Sequence, residues 1–118
     1  TDVAGLPVIA FPMSHGPAGR TTGFRCGGMA WLTDLKELPP GADAQLRDLD
    51  LLVLDMLRDE AHSTHLNWAE AQAIIARIKP RRTVLTHMGY EVKYREWETR
   101  LPPSVAMAYD GYRCRFTA

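Results

Sequence analysis

Cysteine is scarce in this sequence, and its scarcity excludes a protein held together by disulfides. Only Cys26 and Cys114 occur among 118 residues, and they are far apart, in neither a metal-binding nor a redox spacing. We therefore expect two buried, unpaired thiols in a reducing cytosol rather than a disulfide.

An excess of charge of one sign is also missing. Fourteen basic residues balance 14 acidic residues, for a formal net charge of zero. This balance argues against a large basic face for nucleic acid, and we expect no nucleic-acid partner. No apolar run approaches the length of a membrane span, and the first residues show no signal-peptide pattern. We expect a cytoplasmic protein without a membrane partner.

What remains is the composition of an ordinary globular protein, with 46% hydrophobic and 24% charged residues. The length suits one small domain or a piece of a larger one. In the first part of the chain we predict a strand over residues 8–13. Gly27-Gly28 then separates two apolar segments, 22–26 and 29–33, which predicts a hairpin.

Strands and a helix alternate through the middle of the chain. The continuous apolar run over 51–54 suits a strand buried on both faces. Asn67 followed by Glu70 resembles a capping box, which predicts a helix that runs to about Lys79. The segment 83–86 is the next strand. This order predicts an α/β fold with a mixed sheet.

The last part of the chain carries two further predictions. Residues 91–100 have apolar spacing typical of a second helix. Asp110-Gly111 is a turn signal between two apolar segments, which predicts a final hairpin over 105–109 and 112–116.

Polar residues of a particular kind follow several of these strands. His15, Asp34, Asp55 and His87 each stand at or just after a strand end. Parallel strands place their carboxyl ends on one edge of a sheet, where α/β proteins bind ligands, and imidazole and carboxylate suit a divalent metal ion. Singly, each residue also fits a hydrogen-bonding, turn or capping role, and Asp55 also fits an ion pair with Arg58.

A second polar cluster is His62-Ser63-Thr64-His65, in a segment that we predict to be a loop. The two histidines fit three roles: chelation of a metal, donation of a proton by one imidazole, or a solvated loop before a helix. No serine has a nucleophile-elbow pattern, and no glycine group forms a phosphate-binding fingerprint. The aromatic residues fit core and helix faces better than a stacking platform.

Taken in order, the motifs resemble the metallo-β-lactamase superfamily over nearly the whole chain, and in particular the phosphodiesterases similar to the phosphonate-pathway cyclic phosphate hydrolase. The motifs that carry the resemblance are Ser14-His15-Gly16, Thr22-Gly23-Phe24-Arg25, Trp31-Leu32-Thr33-Asp34, Leu54-Asp55-Met56-Leu57-Arg58, His62-Ser63-Thr64-His65-Leu66, Val84-Leu85-Thr86-His87 and Tyr109-Asp110-Gly111.

The resemblance implies an αββα sandwich of two similar halves with a two-metal site between them. By position, His15 resembles a terminal ligand, Asp34 the bridging carboxylate and His87 the last ligand. His65 falls where this branch has a histidine near the substrate phosphate, which implies catalytic and substrate-binding roles. The implied cofactors are two divalent ions, zinc or manganese, and the implied reaction is hydrolysis of small phosphodiesters by a metal-activated water.

One departure from the family pattern is large. The family's first half supplies a His-x-His-x-Asp-His motif, and this sequence has no such motif and only four histidines. We therefore expect residues 1–118 to be the C-terminal half of the domain, with helices on one face of the sheet, inactive alone, and to form a homodimer or pair with the missing half. The alternatives are a non-catalytic interaction domain, or thioester, β-lactam or transfer-RNA-end hydrolysis.

Overall fold

The computed structural model describes all residues from 1 to 118. Seven strands form one mixed sheet in the order β1-β2-β3-β4-β5-β6-β7, so every strand lies beside its neighbour in sequence. The strands are β1 (Asp2–Val3), β2 (Leu6–Ser14), β3 (Arg20–Cys26), β4 (Met29–Leu32), β5 (Leu51–Asp55), β6 (Arg82–Thr86) and β7 (Val105–Met107).

The direction of the strands changes at the β3–β4 hairpin. Strands β1 to β4 are antiparallel to their neighbours, whereas β4, β5, β6 and β7 run parallel. The hairpin turns at Gly27-Gly28, as predicted, and Cys26 pairs with Met29 across it. Because two antiparallel steps restore the direction, β2 points the same way as the four parallel strands.

The helix α1 (Trp68–Ile78) confirms the capping prediction. The side chain of Asn67 accepts a hydrogen bond from the Glu70 backbone N–H, and the Glu70 carboxylate accepts one from the Asn67 N–H. Both interactions satisfy backbone donors that a helix start otherwise leaves free. Lys79 ends the helix in the left-handed conformation, directly before Pro80.

The second helix is shorter than the predicted span of 91–100. The helix α2 comprises only Tyr94–Glu98. Before it, Val92 N–H donates to the Gly89 carbonyl in a turn, and Lys93 has an extended conformation without a side-chain cap. The apolar spacing of this segment reflects the burial of Trp97 and does not predict the length of the helix.

Both helices pack on one face of the sheet, as expected. Trp68, Ala71 and Ile74 of α1 and Trp97 of α2 belong to a single buried cluster of 20 residues. The same cluster contains alternate residues of the central strands, namely Ala30, Leu32, Leu52, Leu54, Leu85, Val105 and Met107. Leu51, Val53 and Val84 point to the other face and form a separate small cluster, so β5 is buried on both faces.

The predicted final hairpin is wrong. Asp110-Gly111 does form a turn, in which Tyr112 N–H donates to the Tyr109 carbonyl, but β7 pairs with β6 in parallel and residues 112–116 form no strand. The tail instead lies against the second sheet face, where Tyr112 and Phe116 pack beside Val53 and Val84. Burial of these aromatic rings outweighs the local hairpin preference.

Thr117 fastens the tail to the β3–β4 turn. Its carbonyl accepts from the Gly28 N–H, and its own N–H donates to the Asp50 carboxylate. A Cβ added to Gly28 would lie 2.4 Å from Oγ1 of Thr117, which explains the glycine there.

Both cysteines are unpaired, but the expected burial is wrong, because Cys26 is half-buried and Cys114 is exposed. Neither helix has the length and apolar character needed to cross a membrane.

Candidate metal centre

The strand directions bring the predicted polar residues to one edge of the sheet. β2 leads into His15, β4 leads into Asp34, β5 ends at Asp55 and β6 leads into His87. Because these strands point the same way, their carboxyl ends meet, as ligand-binding edges of α/β sheets do. The edge assignment made from the sequence is confirmed for all four residues.

Asp34 and His87 form the centre of this cluster. The Asp34 Oδ1 atom lies 3.3 Å from Nε2 of His87, and its Oδ2 atom lies 3.9 Å from Nε2 of His15. The peptide bond between Thr33 and Asp34 is cis. One donor atom each from Asp34, His65 and His87 fall within 4.8 Å of one another. The structure therefore places His65 inside the predicted ligand group.

His65 is the ring that the other histidines surround. Its ring centroid lies 4.9 Å from that of His15, 4.6 Å from that of His87 and 5.5 Å from that of His62. Its side chain is only 14% exposed, whereas that of His87 is 42% exposed. The sequence predicted that His65 contacts the substrate rather than the metal. In the structure His65 lies within the group of candidate metal ligands, so its position fits either role.

The neighbour of His15 determines which of its ring nitrogens carries a hydrogen. Nδ1 of His15 lies 2.8 Å from the Thr64 carbonyl oxygen, which can only accept, so Nδ1 carries the hydrogen. The Nε2 lone pair then faces the Asp34 side. A backbone or carboxylate acceptor on the far nitrogen is the arrangement that orients histidine ligands of metals.

Gly16 makes this contact possible. A Cβ on Gly16 would lie 2.2 Å from the Ser63 carbonyl oxygen, and its φ is +63°. Any side chain there would push the 62–65 loop away from His15. Gly16 belongs to the sequence motif Ser14-His15-Gly16, and a glycine directly after a candidate ligand is a signal of close backbone approach.

Asp55 fixes the orientation of the His65 ring through a hydrogen bond. Its Oδ2 atom lies 2.7 Å from Nδ1 of His65 and accepts a hydrogen bond of 2.9 Å from the Leu35 backbone N–H. Asp55 is fully buried. The alternative of an ion pair between Asp55 and Arg58 is wrong, because Arg58 bonds to Glu91 and to backbone carbonyls of its own loop. With Nδ1 engaged, His65 keeps Nε2 for the open side of the site.

Burial dominates the electrostatics of Asp55. It raises the pKa of this carboxyl above 3.8, against the opposing effects of the His65 and Leu35 hydrogen bonds and of the His65 and His87 charges. Its Oδ1 atom is buried without a partner. A carboxylate with one unpaired buried oxygen benefits strongly from positive charge on the neighbouring imidazole.

His62 accepts a hydrogen bond at Nδ1, so only Nε2 of this ring remains for any other contact. Its Nδ1 atom accepts from the Thr64 backbone N–H at 3.1 Å and lies 3.1 Å from Thr64 Oγ1. The neutral ring therefore carries its hydrogen on Nε2. Of the three roles left open for this loop, chelation by both His62 and His65 is the one that this geometry disfavours.

Two further contacts hold the loop and His87 in place. Lys36 Nζ forms an ion pair of 2.7 Å with Glu70, the residue that also caps α1, and so ties that helix start to the chain after Asp34. His87 has φ of +64°, a conformation rare for residues other than glycine. The flanking bonds of Met56 to Thr86 and of Gly89 to Leu57 hold it there.

These residues fit a divalent metal ion by the chemistry of their donors. A carboxylate and neutral imidazoles are ligands for zinc or manganese, and the donor atoms are close enough for side-chain rotation to bring them onto one ion. The site is open to solvent, because the side chains of Asp34 and His87 are 38% and 42% exposed.

Comparison with known proteins now adds the family. The model of the beta-lactamase superfamily domain matches residues 1–88, which is most of the chain and includes every residue of the centre. This chain belongs to the metallo-β-lactamase superfamily. The α/β fold with its mixed sheet is the fold of this superfamily, which is a superfamily of metal-dependent hydrolases.

One solved relative in this superfamily is a diphosphatase from the PhnP family. It is 30% identical, with a TM-score of 0.89, over 99% of this chain and 47% of its own chain. The Zn²⁺-bound PqqB from Methylobacterium extorquens shares the fold at 20% identity and a TM-score of 0.65, over 93% of this chain and 50% of its own. This superfamily chain thus spans about half of each solved relative.

A curated relative is the octanoyltransferase of Porphyromonas gingivalis, 31% identical over 111 residues. The matched region is 92% of this chain and 22% of that protein. The segment related to this chain is a small part of that protein, so the name of that protein gives no activity for this chain.

Proposed function

We propose that this chain carries one wall of a metal-dependent hydrolase site that cleaves small phosphodiesters. The observation that carries the proposal is the convergence of Asp34, His65 and His87, whose donor atoms lie within 4.8 Å of one another at the carboxyl edge of the sheet. The diphosphatase that is 30% identical over 99% of this chain acts on related phosphoryl chemistry. It supports a phosphoryl substrate over a thioester or a β-lactam.

Each residue has a physical role in this proposal. His15, Asp34 and His87 would hold the metal. When bound, the metal would supply an activated water and neutralise charge on the phosphoryl oxygens. His65 faces the substrate with Nε2 and donates a hydrogen bond or a proton to an ester oxygen. Asp55 holds that ring in position and stabilises its positive charge.

The same proposal requires metal ligands from outside these 118 residues. Only His15 and His87 place Nε2 within 4 Å of the Asp34 carboxylate, and Asp55 is already bonded to His65 and Leu35. We propose that a second β-sheet supplies the rest and docks on the uncovered sheet face. There Phe24 pairs with Trp31, and their side chains are 44% and 45% exposed.

The uncovered face has the character of an interface. Phe24 and Trp31 continue the row of Val53 and Val84, which the tail covers only in part. Adjacent exposed aromatic side chains on a flat sheet mark an association surface. The occupant is the complementary half-domain, or a second copy of this chain when that half is absent.

Hydrolysis assays test the proposal directly. The protein that contains this chain, stripped and then loaded with Mn²⁺ or Zn²⁺, should hydrolyse bis(p-nitrophenyl) phosphate, while residues 1–118 alone should not. Asp34→Asn should abolish turnover. Asp43→Asn, at an exposed carboxylate that pairs with Arg77, is the matched control and should retain it.

The other outcomes identify the alternatives. Faster hydrolysis of p-nitrophenyl acetate or of a β-lactam than of the phosphodiester would replace the substrate class. No hydrolysis of any of them by the metal-loaded longer protein would contradict the proposal and favour a non-catalytic interaction domain.

A further inference from the structure

The loop of residues 59–65, which carries His65, is not held by its own backbone. None of these residues takes part in a backbone–backbone hydrogen bond. Only the base of the loop is closed in that way, since the Leu57 N–H donates to the Leu66 carbonyl at 2.9 Å. A segment without backbone bonds depends on side-chain contacts for its position. The place of His65 in the site therefore depends on the side chains that hold this loop.

Arg58 supplies two of those contacts from the base of the loop. Its Nε atom donates to the Glu60 carbonyl at 3.3 Å, and its Nη2 atom donates to the Ala61 carbonyl at 3.0 Å. These two residues directly precede His62. A guanidinium carries its donors in a rigid plane, so bonds to two successive carbonyls fix the course of the chain toward the histidines.

The third nitrogen of the same guanidinium contacts the other side of the site. Nη1 of Arg58 lies 3.5 Å from Oε1 of Glu91, which follows His87 by four residues. The side chains of Arg58 and Glu91 are 29% and 31% exposed, so water screens this pair less than it screens a pair on the open surface. Arg58 thus bonds at once to the loop of His65 and to the segment of His87.

The two segments that Arg58 connects are the ones whose histidine rings meet. The ring centroids of His65 and His87 are 4.6 Å apart. The hydrogen bond from Asp55 sets the direction in which the His65 ring faces, whereas the separation of the two rings follows the separation of their segments. A guanidinium that is half-buried and bonded on both sides is suited to fix that separation.

We propose that Arg58 is a positioning residue that holds His65 against His87 by bridging their two segments. The inference rests on the proposed function, in which His65 acts on the substrate beside the metal-binding residues. Arg58 touches neither substrate nor metal in this account, and its loss displaces His65 without removing a ligand. A displacement of about 1 Å at a reacting group is enough to lower a rate by about 100-fold.

The contact between the two rings can be measured without metal or substrate. In the full chain with labelled histidines, the nuclear Overhauser effect between the rings of His65 and His87 reports their separation, and the unaltered protein should show it. Arg58→Gln should weaken it strongly. Glu91→Ala removes only the second side of the bridge and should weaken it too. Because both changes break one bridge, the double variant should be no worse than Arg58→Gln alone.

Two further variants separate the bridge from charge and from general effects. Arg58→Lys keeps the positive charge but lacks the planar fork, so it should not restore the ring contact. Arg77→Gln breaks an exposed arginine ion pair with Asp43 on α1. It is the matched control and should leave the ring contact unchanged.

Kinetics distinguish positioning from stability. In the metal-loaded longer protein, Arg58→Gln should lower kcat for bis(p-nitrophenyl) phosphate by about 10–100-fold, with little change in KM. A role in stability alone would lower the urea midpoint and leave both the ring contact and kcat per folded molecule as they are.

A ring contact that Arg58→Gln leaves intact would overturn the inference, and so would full retention of the contact in Arg58→Lys or its absence from the unaltered protein. If the unaltered longer protein cleaves the phosphodiester and Arg58→Gln keeps the ring contact, the proposed function stands and Arg58 is not a positioning residue. If Arg58→Gln loses the contact and the unaltered longer protein cleaves no phosphodiester, the bridge stands and the proposed reaction fails.

Discussion

At the scale of single residues, the nitrogen that each histidine has free for a ligand depends on which of its nitrogens already forms a hydrogen bond. Thr64 accepts from His15, Asp55 bonds to His65, and Thr64 donates to His62. The sequence could place the histidines at strand ends and in a loop, but it could not give these partners, because each contact joins segments that only the fold brings together. Asp55 shows the limit most clearly: its strand-end position fitted either a metal ligand or an ion pair with Arg58, whereas in the fold it bonds to His65.

The pH dependence of stability tests the burial of Asp55. Its pKa in the folded chain lies above 3.8, so the folded state holds this proton more tightly than the unfolded state does. The contribution to stability is therefore full below 3.8 and declines as pH rises through the raised pKa. Asp55→Asn removes that dependence, and the unfolding free energy of the wild type minus that of the variant should fall as pH rises.

Urea unfolding at a series of pH values, from about 3.5 to 7, measures this difference. A difference that grows with pH over the same range would mean that the hydrogen bonds from His65 and Leu35 outweigh burial, contrary to this account.

At the scale of elements, local signals predicted well where local interactions decide the structure. The capping box at Asn67, the Gly27-Gly28 hairpin and the apolar run of β5 all formed as predicted. The failures are the final hairpin and the length of α2. In both, long-range burial decides, since the tail packs on the second sheet face and Trp97 fixes its helix to the core.

The capping box offers a prediction about α1. Asn67→Ala removes the acceptor for the Glu70 N–H and should lower the unfolding free energy by about 1 kcal/mol. Asn67→Asp keeps an acceptor at the same place and should retain most of the stability. Urea unfolding of both variants measures the effect, and an unchanged midpoint for Asn67→Ala would show that the cap contributes nothing.

Gly16 offers a second prediction, which links the loop to the site. Gly16→Ala drives a Cβ into the Ser63 carbonyl and should cost about 1–3 kcal/mol. It should also weaken metal binding, because His15 loses its Thr64 partner. Gly41→Ala is the matched control, since Gly41 also has a positive φ, of +89°, but open space around it.

If the two alanine variants lose equal stability, backbone strain alone accounts for Gly16, and the close approach of the 62–65 loop has no energetic role.

At the scale of the whole molecule, the fold is one sheet with helices on one face and an aromatic strip on the other. Leu51 and Val84 are covered by the tail, but Phe24 and Trp31 are not. The metal centre lies at the carboxyl edge of the same sheet. The proposed function assigns one partner to both the edge and the exposed aromatic face, because adjacent exposed aromatic side chains mark an association surface.

This arrangement predicts association through the uncovered face. Phe24→Glu places a charge in the interface and should shift residues 1–118 toward the monomer in light scattering after size-exclusion chromatography. Tyr90→Glu makes the same replacement at an exposed ring on another side and should have no effect. Equal behaviour of the two variants would show that the sheet face is not the interface.

The central claim is that the edge cluster binds metal, and calorimetric titration with Zn²⁺ tests it most directly. The account predicts that residues 1–118 bind Zn²⁺ and that Asp34→Ala and His87→Ala each weaken binding by at least about 10-fold, with Asp43→Ala unchanged. Binding of the same strength in all four proteins would contradict the account, because the metal would then be held somewhere other than at Asp34 and His87.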